Sequence, residues 1–428
     1  MIDIRQLRED PSFFRKATAD KQRDPKLVDE ILKLDEEKRK VLQQVEILRA
    51  ERNKLGRDNI ERGKQIKTEL SQLEEQLDKL DKDLTKALWE LPNPAHESVP
   101  VSKDASGKIV LRKWGEIPKF DFSPKEHLEI GENLDLIDVK KAGLVTGSRF
   151  GYLKKEAVLL EFALVQFTLK VLTDENVLKK IADSVEKDYP AKPFVPVVPP
   201  QLVKAEVMDK MARLHPIEER YFFEKDSLVL VGSAEHTLGP MHMDEVIPEK
   251  ELPIRYIGFS TSFRREAGSY GQDTRGILRV HQFDKLEMES FTVPENSVKE
   301  QDFIVAIQEY LVQALKIPYQ VVLISTGDMG GPDYRQIDID CWLPGQNKYR
   351  ETHTSDLMTD YQSRRLNTRV KRNKGELEFV HMNDATAFAI GRTIIAILET
   401  FQQKDGTVVV PEVLRDFVGK DKISPKEK

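Results

Sequence analysis

Arginines set among glycines are the residues of this chain best suited to chemistry. Phe263-Arg264-Arg265-Glu266 is followed by a glycine-rich stretch, residues 268–276, and then by Arg279. An arginine side chain offers a planar fork of donors that matches phosphate oxygens, and it keeps its positive charge. Glycines beside it let the backbone come close to a ligand. The spacing predicts a strand, a loop and a returning strand that place the arginines over one side of a sheet. An ordinary hairpin with surface arginines would show the same pattern.

Other common motifs for nucleotides and metals are absent from the sequence. There is no GxxxxGK[ST] loop and no GxGxxG between a strand and a helix, so a nucleotide would bind without a P-loop or a Rossmann turn. No cysteine cluster or HExxH offers a zinc site, and no GxSxG offers a nucleophile elbow.

A heptad pattern near the start of the chain predicts a long helical arm. Apolar residues recur four and three positions apart in two runs: Leu27, Ile31, Leu34, Val41, Val45, Leu48 and Leu55, then Ile66, Leu70, Leu73, Leu77, Leu80, Leu84 and Ala87. This alternation is a coiled-coil seam. Turn-forming residues at 56–59 separate the runs, so the second helix folds back on the first. We expect an antiparallel arm over about residues 27–91, with helices about 40 Å long, ended by Pro92.

The distal part of the arm carries more basic than acidic residues. Arg49, Arg52, Lys54 and Arg57 are our candidates for contacts with RNA phosphates. A solvated helical face gives the same composition, so the charge alone leaves both interpretations open.

Composition limits the class of protein. The chain has 428 residues and a net charge of −6, which argues against a nonspecific binder of DNA or other polyanions. Its single cysteine, Cys341, fits a reducing compartment, and no segment has the length of a membrane span. No leader pattern of basic then apolar residues is visible, so we expect a cytoplasmic protein without membrane association. The length allows two domains, which we place at residues 1–105 and 106–428.

Beyond the arm, strands and helices are mixed without strict alternation, which favours an α+β fold with an antiparallel sheet. Predicted strands are residues 194–200, 227–231, 254–259, 320–326 and 336–343, with a hairpin formed by 278–283 and 285–291. Predicted helices are residues 157–172 and 385–403, and the charged tail, 420–428, is expected to be disordered.

These motifs resemble those of class II aminoacyl-tRNA synthetases. Phe-Arg-x-Glu at 263–266 looks like motif 2, and Gly391-Arg392 at the start of an apolar helix looks like motif 3. Over nearly its whole length the chain is similar to the seryl-tRNA synthetase family, with matches in the family's order at 127–132, 147–150, 328–330, 342–346, 360–365 and 411–415. The resemblance implies an antiparallel sheet flanked by helices, preceded by a helical arm. It also implies a homodimer whose contact, motif 1, maps near 197–200.

The resemblance also implies a reaction and its residues: ATP-dependent ligation of serine to tRNA(Ser) through a seryl-adenylate, with tRNA(Sec) as a further acceptor. The ATP-binding residues would be Arg264, Arg265, Glu266, Phe283, Glu351, Thr352, His353, Thr354 and Arg392, with Arg264 and Arg392 catalytic. The serine-binding residues would be Ser233, Ala234, Glu235, Arg264, Glu287 and Thr386. Mg²⁺ would be held by Glu351 and Thr354, of which the carboxylate is the better ligand.

Several positions near this site depart from the family's pattern. Ser233 stands in place of threonine, residues 351–354 read Glu-Thr-His-Thr, and Leu357 stands where asparagine is frequent. Residues 384–386 read Asp-Ala-Thr in place of Asn-Gly-Ser. Two alternatives therefore stay open: a synthetase paralogue that charges another amino acid or acceptor, and a noncatalytic tRNA-binding paralogue.

Overall fold

The computed structural model describes residues 1–55, 59–267 and 275–425. Its helices are α1 (Ile4–Glu9), α2 (Pro11–Asp20), α3 (Lys26–Lys54), α4 (Ile60–Glu90), α5 (His127–Asn133), α6 (Val139–Val145), α7 (Glu156–Leu172), α8 (Glu175–Val185), α9 (Ala205–Lys210), α10 (Glu235–Leu238), α11 (Ser297–Ala314), α12 (Tyr361–Leu366), α13 (Ile390–Thr400) and α14 (Arg415–Val418). Its strands are β1 (Ile109–Trp114), β2 (Ile137–Asp138), β3 (Tyr152–Leu153), β4 (Val195–Val197), β5 (Leu202–Lys204), β6 (Phe222–Phe223), β7 (Leu228–Leu230), β8 (Val246–Pro248), β9 (Ile254–Phe263), β10 (Gln282–Thr292), β11 (Tyr319–Leu323), β12 (Arg335–Leu343), β13 (Lys348–Thr359), β14 (Arg369–Lys371), β15 (Leu377–Phe379), β16 (His381–Ala389), β17 (Val408–Val409) and β18 (Lys422–Ile423).

The predicted arm is confirmed, because α3 and α4 pack against each other along the heptad seam. In its distal half, Val45, Ile66 and Leu70 are buried together. At its base, Ile31 and Leu84 join a cluster that includes Tyr361 of the main body. The base of the arm is therefore joined to the main body by a packed apolar cluster.

The base of the arm is also hydrogen-bonded to the body. The Asn93 side chain donates to the carbonyls of Pro332 and Met358, each at 2.9 Å. Lys21, which is buried between the two parts, donates to the Gly330 carbonyl at 3.1 Å. No helix in the described ranges is long and apolar enough to cross a membrane.

The main body is built on one large sheet with the strand order β1-β11-β12-β13-β16-β10-β9-β4. Neighbouring strands run antiparallel except for β4, which pairs in parallel with β9. Apolar residues of α7, α11 and α13 form one core with the sheet. The expected α+β class with an antiparallel sheet is confirmed.

Three local predictions were wrong. The partner of β10 is β9, with Phe283 opposite Ser262, and residues 278–281 form no strand. Leu278 and Val280 are buried in the core, so their alternation reflects packing of a loop. The helix predicted from residue 385 begins only at Ile390, because residues 385–389 continue β16.

Burial explains the helix error, and the third error concerns the charged tail. β16 lies between β13 and β10 and all its residues except the first and last are buried, so its sequence has no alternation that would mark a strand. The tail was expected to be disordered, yet β18 pairs with β17 and buries Ile423. Residues 426–428 lie outside the described ranges.

Candidate active site

A cavity of about 660 Å³ opens over the central strands of the sheet. It brings together most of the residues predicted from sequence: Glu235, Arg264, Glu266, Phe283, Glu287, Glu351, Thr352, Thr354, Thr386 and Arg392. They come from α10, β10, β13, β16, α13 and the segment after β9, so residues far apart in the chain share one wall. Much of the predicted loop, residues 268–274, lies outside the described residues.

Two arginines from different elements reach the same part of the cavity. Arg264 follows β9, and its guanidinium lies 5.4 Å from the centre of the Phe283 ring. Arg392 is in the first turn of α13 and contacts Glu351 at 2.8 Å. Burial alone would raise the pKa of Glu351, but the charges of Arg392 and Arg264 outweigh it and lower that pKa. The arrangement can neutralise a polyanion held between the two guanidinium groups.

Glu266 lies beside Arg264 in an uncommon backbone conformation, with a φ of 51°. Its carboxylate accepts a hydrogen bond from Arg279 at 2.6 Å. Arg265, in contrast, is not on the cavity wall: its guanidinium lies over the Tyr221 ring, 5.9 Å from the ring centre. The structure therefore does not place the Arg265 side chain with the predicted ATP-binding residues.

A bulge in β13 explains how Glu351 and Thr354, three residues apart, line one cavity. Strand register shifts between Ile339 and Asp340, so Thr352 has no partner residue in the β12–β13 ladder. The Thr352 hydroxyl donates a hydrogen bond to the Ile339 carbonyl at 3.1 Å.

The His353 side chain is buried and absent from the cavity wall, so the structure does not place it with the other predicted ATP-binding side chains. Its ring nitrogen lies 2.8 Å from the Thr352 hydroxyl and its ring lies 5.5 Å from that of Phe388. Burial lowers the pKa of His353 to about 3, so the ring is neutral.

The donor atoms near Glu351 fit a magnesium ion. The Thr354 hydroxyl lies 3.5 Å from the Glu351 carboxylate, and Asp338 lies opposite Thr354 on β12. Burial, followed by the charge of Glu351, raises the pKa of Asp338 well above its ordinary value. Two carboxylates that repel each other beside a hydroxyl form an all-oxygen set, which a hard divalent cation would stabilise.

The residues predicted to bind serine are grouped around Glu235 and Glu287, whose carboxylate oxygens lie within 4.8 Å of each other. We call this part of the cavity the amino-acid end. Ser233 and Ala234 are buried behind the wall, and the Ser233 hydroxyl accepts a hydrogen bond from Lys285 at 3.1 Å. Lys285 also pairs with Glu287 at 2.6 Å. Glu287 lies opposite Thr386 across the β10–β16 ladder. Burial raises the pKa of Glu287 to about 7 against the opposing charge of Lys285.

Sequence reasoning missed several charged residues of this wall, chiefly Arg213, Lys285 and Asp356. Lys285 had a usable signal, because it lies two positions before Glu287 on a strand and so shares its face. Arg213 had none, since it lies in a loop after α9 and approaches the site only through the fold.

The arm residues proposed for RNA contacts lie near its distal end. Arg49 pairs with Glu74 on α4 at 2.8 Å, and Arg52 and Lys54 are exposed in the last turns of α3. Arg57 lies outside the described residues.

Two family models match the chain. The seryl-tRNA synthetase N-terminal domain matches residues 1–95, and the tRNA synthetase class II core domain (G, H, P, S and T) matches residues 221–401. A serine–tRNA ligase of Dictyoglomus turgidum is 38% identical over 442 residues, covering 100% of both chains. The chain belongs to the seryl-tRNA synthetase family.

Solved structures agree with this family assignment. Seryl-tRNA synthetase from Pyrococcus horikoshii, complexed with ATP, superposes with a TM-score of 0.91 at 36% identity, covering 100% of both chains. Cytoplasmic serine–tRNA ligase from Naegleria fowleri, in complex with AMP, gives a TM-score of 0.88 at 30% identity, covering 100% of this chain and 99% of the other. Like other seryl-tRNA synthetases, the chain thus combines a class II core with the family's N-terminal domain.

Proposed function

We propose that this protein activates serine with ATP and transfers it to tRNA(Ser), which makes it a serine–tRNA ligase. The observation that carries the proposal is the convergence of Arg264, Arg392 and Glu351 at one end of the cavity, with Glu235 and Glu287 at the other. Full-length relatives named serine–tRNA ligase, and relatives solved with ATP or AMP, support it.

The first step joins the serine carboxylate to the α-phosphorus of ATP and releases pyrophosphate. It needs no general base, because the carboxylate is already ionised. It needs charge neutralised and reactants held in line, and these contribute most of the acceleration in such reactions. Arg264 would bind the α-phosphate and Arg392 the γ-phosphate, with Phe283 stacked on the adenine and Glu266 on its edge. When bound at Glu351 and Thr354, Mg²⁺ would neutralise further phosphate charge.

In the second step, a terminal ribose hydroxyl of tRNA attacks the adenylate carbonyl and AMP leaves. Serine would be selected by its hydroxyl, through Thr386 and Glu287. Alanine leaves those groups without a partner, and a site of this kind can reject such an analogue by about 10⁴-fold.

The arm would bind tRNA outside the catalytic cavity, with residues 1–105 as the tRNA-binding domain and 106–428 as the catalytic domain. Arg49, Arg52, Lys54 and Arg57 would contact phosphates along the RNA. We include a cytoplasmic homodimer in the proposal, with residues near 197–200 at the subunit contact and tRNA(Sec) as a second acceptor.

Amino-acid-dependent ATP–pyrophosphate exchange tests the proposal directly. A panel of serine, threonine, alanine and glycine, each assayed with purified full-length protein and Mg²⁺, should give exchange with serine alone. The same preparation should then charge a serine tRNA transcript. Exchange with a different amino acid would replace serine as the substrate, and no exchange with any of them would contradict a catalytic role.

A further inference from the structure

Arg213 is surrounded by carboxylates at the amino-acid end of the cavity. Its Nε atom lies 3.0 Å from Glu235, and its Nη2 atom lies 3.6 Å from Asp384 and 3.8 Å from Asp333. Asp356 lies slightly farther away, at 4.0 Å. The side chain is only 16% exposed, so solvent screens these contacts weakly.

Acidic side chains outnumber basic ones around Arg213. The ionisable groups that face Glu235 are Arg213, Arg220, His236, Lys285, Glu287, Glu289, Asp356 and Asp384. Carboxylate oxygens of Glu235, Glu287 and Asp384 lie within 4.8 Å of one another. Burial, helped by the neighbouring acids, raises the pKa of Asp384 well above its ordinary value.

Glu235 differs from the other acids of this group because its pKa is lowered, whereas theirs are raised. Burial alone would raise its pKa, but the charge of Arg213 is the largest opposing influence and the pKa of Glu235 falls well below its ordinary value. His236, beside it, has its pKa lowered to about 4 by burial and contributes no charge at neutral pH. Glu235 is therefore kept ionised mainly by one guanidinium group.

We propose that Arg213 is the positioning residue of the amino-acid end of the cavity, fixed by Asp384 and holding Glu235 charged and oriented to accept the substrate's ammonium group. This rests on the proposed function, because it assumes that an amino acid binds there. It also gives a partner to Asp384, which stands where the family's pattern has asparagine, since its carboxylate lies 3.6 Å from the Arg213 guanidinium. Arg213 acts through Glu235 and does not contact the reacting atoms.

The backbone is suited to this role. The Arg213 amide donates to the Met208 carbonyl at 3.1 Å, at the end of α9, and its own carbonyl accepts a hydrogen bond from Arg220 at 2.7 Å. The side chain thus extends from an anchored segment, so its position is defined before any substrate arrives.

The test compares Arg213→Gln, Arg213→Lys, Asp384→Asn and the double variant R213Q/D384N in full-length protein. Pyrophosphate exchange gives separate KM values for the amino acid and for ATP. We expect R213Q to raise the amino-acid KM about 10- to 100-fold, the cost of a misplaced binding group, with the ATP KM within about twofold. R213K, which keeps the charge, should recover part of the loss.

Two further measurements distinguish positioning from a general structural role. Removing the arginine charge raises the pKa of Glu235, so the amino-acid kcat/KM of R213Q should keep rising at pH values where the unmodified protein has reached its plateau. The double variant R213Q/D384N, in which arginine and aspartate are both removed, should lose less than the sum of the single losses. The substitution Arg372→Gln, at a residue that does not line the cavity, serves as the control for preparation and assay.

The result that overturns the inference is an equal rise in both KM values, an unchanged pH profile or strict additivity in the double variant. The variants are assayed with whichever amino acid of the panel supports exchange. If serine alone fails, the proposed function is contradicted, but the role of Arg213 can still be tested with another amino acid. A variant that binds ATP with unchanged affinity is folded, which separates loss of the pocket from loss of the protein.

Discussion

At the scale of single residues, neighbouring arginines have different surroundings. Arg264 lines the cavity beside Phe283, whereas Arg265, one position later, lies over the Tyr221 ring. A strand end that directs adjacent side chains to opposite sides accounts for the difference. Charge alone therefore does not assign function here, since both residues carry the same charge.

This difference gives a matched pair of variants. Arg264→Gln removes a group aimed at developing phosphate charge, and we expect exchange to fall about 10²- to 10³-fold. Arg265→Gln should stay within about threefold of the unmodified protein. Steady-state exchange at saturating ATP and serine measures both, and comparable losses would contradict the placement of Arg265.

The pKa of Glu287 gives a pH dependence. Burial raises it to about 7, so the carboxylate is largely protonated below that pH and ionised above it. Because the ionised form is the better acceptor for the hydrogen bond from the serine hydroxyl, kcat/KM for serine should rise between pH 6 and pH 8 and then level off. kcat/KM for ATP over the same range is the internal control, and an identical rise for both substrates would argue against Glu287.

At the scale of elements, a buried ion pair joins strand β9 to helix α11. Arg255 and Glu300 are both fully buried and lie 2.6 Å apart. Tyr189 and Ser290 donate to the same carboxylate, each at 2.6 Å. Leaving either charge without its partner in the core is costly because no water replaces the lost contact.

Glu300→Gln should therefore destabilise the protein by about 3–5 kcal/mol. The control is Glu412→Gln, which breaks an exposed pair with Lys316 and should leave the denaturation midpoint unchanged. Urea denaturation followed by circular dichroism measures both, and similar midpoints for the two variants would contradict the argument.

Truncation of the arm tests whether it is needed for tRNA charging and not for amino-acid activation. Its base is packed into the body through Ile31, Leu84 and Tyr361, so a truncation must spare that cluster. Replacing residues 40–79 with a short glycine linker removes the distal half only. We expect tRNA charging to be lost and exchange to stay near normal. Equal loss of both activities would show that the arm supports the catalytic cavity itself.

Local sequence predicted the elements whose pattern repeats, and it failed where the pattern depends on distant partners. The arm follows from its heptads, because each apolar residue packs on its neighbour helix. Residues 385–389 of β16 were assigned to a helix, since nearly every residue of this strand is buried and the sequence does not alternate. The burial of the His353 side chain was not predicted, because the bulge at Thr352 is set by pairing with β12, which the sequence of β13 alone does not contain.

At the scale of the whole molecule, the cavity gathers residues from Arg213 to Arg392 over a single sheet. Family motifs pointed to Arg264 and Arg392, because arginines and glycines at fixed spacing are visible without a fold. The charged wall around Arg213 could not be predicted from the sequence. Its contacts with Glu235 and Asp384 form only in the folded chain, and the sequence around this loop arginine contains no motif.

The anchorage of the arm has a mechanical consequence. Lys21 and Asn93 grip the backbone of residues 330–332, and Asp333, the next residue, faces the cavity and Arg213. The arm and the cavity are thus connected through one short segment, residues 330–333. A force on the far end of the arm would therefore reach the cavity wall through residues 330–333, so the RNA binding proposed for the arm would be coupled to the shape of the cavity.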